Sequence, residues 1–304
     1  MDPVAPPETG LYFYRYGTDA SASPRELRFE NYDVRPEDFH PLGIEYVPQS
    51  RTLFMINHAE KGSRIDRFRF YAEEAMLKFA GSIEDPLLPT PNSMAALSPS
   101  TLIVTNDHYF RSRYQPRLAM AETVLGLPLG TVVRVDLDIS KRNGPPNITS
   151  LARVPFANGV VELNKTAIAV ASSSKAEVYI YSSKSGFSQG SVDVGVSHTI
   201  QLPFPPDNLS MDGNGVLFIA GPAHGPSLSQ RAAMNFACVS GQIVQCPKSP
   251  SFIASWTAES GVEVLYVGNE FDTITTTVWD VSRRFGIATG LYAKGIMTFK
   301  EAEA

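Results

Sequence analysis

Residues 100–110 read STLIVTNDHYF, and the reading of this stretch decides the fold. Leu102, Ile103 and Val104, flanked by Thr101 and Thr105, form a short apolar and β-branched run suited to a buried strand. The run ends in Asn106, Asp107 and His108: an amide, an acid and an imidazole in a row, with Tyr109 and Phe110 behind them. Buried polar groups need partners or water, so such a strand end should open onto a wet space. The same construction recurs outward in both directions. TLFMIN, RIDRFRFY, TVVRVDL, TAIAVAS, AEVYIYS, VLFIAG, VEVLYVG and RFGIATG are short and rich in Val, Ile, Tyr, Phe and Thr. Gly, Pro, Asn, Asp and Ser cluster between them. Helical patterning is confined to YQPRLAMAETVLGL, after Pro116, and to SLSQRAAMNFACV. Many short strands with little helix predict an all-β fold.

A longer period narrows the architecture. Polar residues stand at the start of apolar segments in LPTPNSMAAL, PFANGVVEL and PPDNLSMD, and FHPLGIEYV opens a similar segment. Leu42 and Asn92 are 50 residues apart, Asn92 and Asn158 are 66 apart with a helical segment between, and Asn158 and Asp207 are 49 apart. A four-stranded blade takes about 40–50 residues, so the spacing predicts a β-propeller with one such start per blade. Innermost strands begin near the central axis, and side chains at those starts converge on one point.

Composition sets outer bounds. The chain has 304 residues, 43% hydrophobic and 19% charged, with a formal net charge of -5. That suffices for a large core and is read as one propeller domain over 1–304, with helical or loop insertions near 111–130 and 222–252. No basic stripe points to nucleic acid as a partner, and no apolar run has the length of a transmembrane segment. MDPVAPPETG lacks the basic start and apolar middle of a signal peptide, which leaves localisation open. Cys238 and Cys246 are the only cysteines, read equally as a local disulfide or as two free thiols.

Six blocks carry a family resemblance: FHPLGI (39–44), INHA (56–59), LLPTPNSM (87–94), TNDHYF (105–110), FANGV (156–160) and DNLSMD (207–212). In order and spacing they resemble the paraoxonase (serum arylesterase/lactonase) family, six-bladed β-propellers with calcium in the central tunnel. The resemblance implies calcium as cofactor, held by Asn92, Asn158, Asp207 and Asn208. It implies a small-molecule ester or lactone as substrate. The ligand types suit calcium, which takes six to eight oxygens and accepts amide as well as carboxylate donors. It would polarise a carbonyl while water attacks. His58 matches one member of the family's histidine pair and is suited to assist that water. Asp107 and His108 are read as catalytic-site residues at the tunnel, the acid orienting an imidazole or facing the calcium. Taken singly, Asn-Gly in FANGV also reads as an ordinary turn and Asp-Asn in PPDNLS as a loop cap.

Three departures bear on function. Leu42 stands where the family has its other histidine, and His40 lies two residues earlier. Ser93 stands where the family has an acid that binds a second, structural calcium. No Glu-Asp pair matches the family's N-terminal ligands, since Glu8 is followed by Thr9 and Gly10. The propeller is therefore expected to be incomplete at the N-terminal closing strand, with a weaker calcium site. The family is largely exported or membrane-associated. Two readings result: a calcium-dependent lactonase or arylesterase, or a non-catalytic propeller that binds a ligand or partner at its tunnel mouth.

Overall fold

The computed structural model describes residues 10–16, 23–138, 145–187 and 193–300. Glu8 lies outside them. The fold is an all-β propeller, and the described residues form five blades. The first blade comprises strands Pro41–Val47, Thr52–His58, Ser63–Tyr71 and Met76–Ile83, with Arg28–Glu30 added in parallel at its outer edge. The second comprises Pro91–Ser98, Thr101–Asn106, Gly130–Asp136 and Asn147–Val154. The third comprises Ala157–Asn164, Ala167–Ser172, Glu177–Ser183 and Val194–Gln201. The fourth comprises Leu209–Met211, Leu217–Pro222, Ser251–Thr257 and Gly261–Gly268. The fifth has three strands, Ile274–Asp280, Phe285–Gly290 and Met297–Lys300.

The second strand of a blade is sandwiched between neighbouring sheets, and its sequence shows it. Thr101–Asn106, Ala167–Ser172 and Leu217–Pro222 are buried at every residue. Innermost strands of successive blades pack side by side, from Pro41–Val47 through to Ile274–Asp280. The apolar core lies between blades: Phe54, Ile56 and Ile65 of the first meet Met94, Leu102 and Val104 of the second. Both sequence-predicted helical segments form, as Pro116–Leu125 and as the pair Gly225–Ala233 and Asn235–Val239. Each sits between the second and third strands of its blade, so both stand at the same end of the propeller. No helix among the described residues is long and apolar enough to cross a membrane. Cys238 and Cys246 are joined as a disulfide that ties the end of the second helical insertion.

Antiparallel pairing puts the start of each inner strand beside the end of the next. Pro41 pairs with Asn57, Pro91 with Asn106 and Ala157 with Ser172. Residues 41–43, 91–93 and 157–159 therefore share one mouth with 57–58, 106–108 and 172–173. Close approach at this mouth requires glycine. A Cβ on Gly159 would stand 2.6 Å from the Asp207 carbonyl oxygen and 2.7 Å from Asn208 Cα. The Asn-Gly pair is thus no turn: it lies inside strand Ala157–Asn164 and lets the third blade touch the fourth.

The two ends of the ring differ from the rest. Residues of the N-terminal segment, among them Leu11, Phe13, Phe29 and Tyr32, pack over the outer part of the first blade. Tyr16 reaches the fifth blade, where its hydroxyl donates to Asp280 at 3.0 Å and its ring stacks on Phe285 at 5.2 Å. Next to the axis the first blade stays open, with Leu42 44%, Ile44 55% and Tyr46 41% exposed.

Candidate functional site

The opening stretch separates into three roles. Asn106 is buried and fully used: its Oδ1 accepts from Thr90 N at 3.3 Å, and its Nδ2 donates to Leu87 O and Thr131 Oγ1, both at 2.9 Å. It fastens the crossover from the first blade to the second. Asp107, one residue on, keeps part of its carboxylate exposed. It accepts from Asn92 Nδ2 at 3.3 Å and pairs with His108 Nδ1 at 3.1 Å. His108 is buried behind it, with Nε2 2.7 Å from Thr123 Oγ1 and its ring on Phe156 at 4.5 Å. Phe156 takes the left-handed region at φ 45°, a strained choice for an aromatic residue that sets the chain's entry into Asn158.

Both nitrogens of His108 are engaged, so it supports Asp107. Burial alone would lower the His108 pKa. The hydrogen bond and charge of Asp107, with the charge of Glu122, outweigh it and leave the pKa raised. Glu122 is buried on helix Pro116–Leu125, and its carboxylate accepts from Tyr109 N at 3.0 Å and Phe110 N at 3.3 Å. The helical insertion therefore clamps the loop that carries Asp107.

His58 ends the second strand of the first blade with Nε2 2.6 Å from the Pro91 carbonyl oxygen. Burial lowers its pKa; the Pro91 hydrogen bond and the Asp107 charge partly oppose this, and Arg111 and Arg113 add to it. Asp107 thus acts electrostatically on two imidazoles. No second histidine takes Leu42's place: His40 is exposed, its Nε2 2.9 Å from Glu37 O.

Asn158 and Asp207 complete the cluster. Asn158 is buried, and its Nδ2 donates to Ser173 Oγ at 3.0 Å, which in turn donates to Pro206 O at 2.6 Å. Its Oδ1 is buried without a hydrogen-bond partner. Asp207 has its pKa pushed up to about 7, chiefly by burial; a hydrogen bond from Asn158 opposes the rise and the charge of Asp107 adds to it. Asn208 hydrogen-bonds through Nδ2 to Thr276 Oγ1 of the fifth blade at 2.9 Å, and its backbone N–H to Thr275 O at 3.0 Å. Asn92, Asp107, Asn158 and Asp207 therefore meet at one mouth, with Asn208 adjacent to Asp207 and turned toward the last blade.

Two neighbouring acids, an orphaned buried amide oxygen and further amides make an oxygen-rich pocket that fits a hard cation. Among the described residues no three His, Cys, Asp or Glu side chains converge. An ion here would rest largely on amide oxygens. Sequence reasoning missed Ser173, Thr105 (whose hydroxyl donates to Asn158 O at 2.6 Å), Glu122 and Thr123. A signal existed for Ser173: in SSSK (172–175) it directly follows a second strand, as Asp107 does one blade earlier.

The family model described as Arylesterase matches residues 3–235. Serum paraoxonase/arylesterase 2 of Rattus norvegicus is 30% identical over 207 residues, 62% of this chain and 54% of that protein. The same protein of Gallus gallus is 29% identical over 216 residues, 68% of this chain and 55% of that one. The chain spans about half the length of the curated relatives it matches. A solved putative 6-phosphogluconolactonase of Bacteroides fragilis shares the fold at a TM-score of 0.59 and 8% identity, covering 98% of this chain and 88% of that one.

Proposed function

The chain belongs to the arylesterase family, and from that premise we propose that it hydrolyses aryl esters or lactones at this mouth with calcium as cofactor. The whole chain is read as one domain, part of a six-bladed ring. The observation that carries the proposal is the buried, unpartnered Asn158 Oδ1 beside Asp207 and Asp107. Asn92, Asn158, Asp207 and Asn208 would hold the ion, and calcium supplies a Lewis acid that polarises the substrate carbonyl. The protein's own groups do the rest. Burial lowers the His58 pKa, which favours the neutral imidazole, and with Nε2 on Pro91 O its Nδ1 is the nitrogen that takes a proton from water. Asp107 stabilises the imidazolium that forms, and His108 and Glu122 hold Asp107 in place. Water adds to the carbonyl carbon, the bond to the alkoxy oxygen breaks, and the proton on His58 passes to the leaving oxygen. A lactone opens to a hydroxy acid; an aryl ester gives an acid and a phenol.

The second reading is a non-catalytic propeller that binds through the same mouth. The exposed Leu42 in the place of the family's other histidine favours it. Purified protein assayed on phenyl acetate and a δ-lactone, with and without a chelator, separates the two. The enzyme reading expects turnover of at least one class and its loss on chelation. Calcium binding without turnover of either class sinks it.

A further inference from the structure

Between Asp107 and Glu122 the chain carries Arg111, Arg113 and Arg117 and no acid, in a protein of net charge -5. This segment begins at the catalytic mouth and folds back over it. Arg111 donates through Nη2 to Ala59 O, one residue past His58, at 3.3 Å, with its guanidinium over the Tyr114 ring at 5.0 Å. Tyr114 OH bonds to Glu60 O. The charges of Arg111 and Arg113 both act on His58. Neither has a carboxylate ion-pair partner among the described residues, and Arg111 is only half-exposed. A guanidinium held by backbone and an aromatic ring keeps donors available for an anion.

Space for such an anion lies beside Arg111, one strand away from His58. A cleft of about 420 Å³ is lined by Arg111, Ser63, Leu88 and Pro89, together with Glu84 and Asp85. Ser63 pairs with His58 across the sheet. The Asp85 carboxylate already accepts from Leu87 N at 2.8 Å, which reduces its competition for the arginines.

We propose that Arg111 and Arg113 make the mouth selective for esters or lactones bearing an anionic group, a carboxylate or a phosphate, seated in the cleft beside His58. The proposal rests on the hydrolase reading for its substrate class; anion binding at the cleft does not. Two measurements keep them apart. Turnover is compared for phenyl acetate, its para-carboxylate and para-phosphate derivatives, and monophenyl succinate. Binding is measured by calorimetry with benzoate and phenylphosphonate against neutral benzamide.

The expected result is tighter binding of the anions than of benzamide. The double variant Arg111→Ala, Arg113→Ala loses at least ~10-fold of anion affinity, as for removal of charge-assisted hydrogen bonds. Arg113→Ala alone, at an exposed position, shows part of the loss without threatening the fold. Arg111→Lys keeps the charge and retains more affinity than Arg111→Ala. Preference for the anionic esters, as a ratio of kcat/KM to that of phenyl acetate, should fall in parallel and weaken with added salt. A benzoate-against-phenylphosphonate difference assigns carboxylate or phosphate. Equal binding of benzamide and the anions, or anion binding unchanged in the double variant, overturns the proposal. Anion binding without turnover of any ester leaves the anion site standing and removes the hydrolase reading together with the substrate class.

Discussion

The sector from the second to the fourth blade and the flank where the first and fifth blades end are built from the same strands but to opposite effect. In the sector, inner strands pack side by side, glycine makes room at 159, and among the described residues only two buried side-chain polar atoms, Asn158 Oδ1 and Ser174 Oγ, lack a partner. At the flank, Leu42, Ile44 and Tyr46 look outward from the first blade, Val278 does so from the fifth, and Tyr16 reaches across to Asp280. Where neighbours press on both faces, strand ends become a rigid, preorganised mouth. Where the described residues supply no neighbour, the same kind of strand leaves apolar side chains exposed. Chemistry is therefore expected where the sector meets the His58 end of the first blade, and tolerance to change at the flank.

The largest effect should come from His58→Gln, which keeps a polar side chain but removes the base: kcat on the best ester should fall ~100- to 10,000-fold with the fold intact by circular dichroism. A drop under threefold would remove His58 from the chemistry. In stability, Phe54→Ala in the core between the first two blades should cost ~3–5 kcal/mol, whereas Ile44→Thr at the flank should stay within ~0.5 kcal/mol by denaturant titration. Equal costs would erase the contrast. Calcium at ~100 times its Kd should add ~2.7 kcal/mol to wild-type stability, and Asp207→Ala should abolish that gain; a gain retained in the variant would place the ion elsewhere.

Glu45 sharpens the comparison through pH. It sits on the first blade's inner strand, where its carboxylate accepts from Ala96 N at 3.0 Å, and burial pushes its pKa up to about 7. The folded chain then holds a proton that the unfolded chain has lost above its ordinary carboxylate pKa. Its contribution is full below pH ~4 and lost as pH rises through ~7. Glu45→Gln should lose less stability than wild type between pH 5 and 8; parallel profiles would rule out this titration. The smallest effect is expected from Tyr16→Phe, ~1 kcal/mol for one partly buried hydrogen bond, read as a shift in Tm. A loss several times larger would make Tyr16 the main tie between the ends of the ring.

Much of this was legible in residue order. Strand identity follows from side chains local to each strand, and the largely apolar second strands announced burial on both faces. The one-per-blade polar starts were visible because a propeller repeats. Less legible was which amide does what. Asn106 and Asn158 are the same residue type at mouth positions, yet one is spent on Leu87 and Thr131 and the other keeps an unpartnered oxygen. Their partners lie on other strands, so no local pattern distinguishes them. His108 likewise read as catalytic beside Asp107, and only Thr123, brought in by a helix, shows its ring nitrogens engaged.

The sequence by itself determined the strands, their β-propeller repeat and the residue types offered at one mouth, because alternation, turn chemistry and spacing act over neighbouring residues. Tertiary structure alone decided which of those side chains are satisfied, which titrate near neutrality and which guanidiniums stand unpaired beside His58. Those properties depend on desolvation and on hydrogen-bond partners contributed by distant segments of the chain.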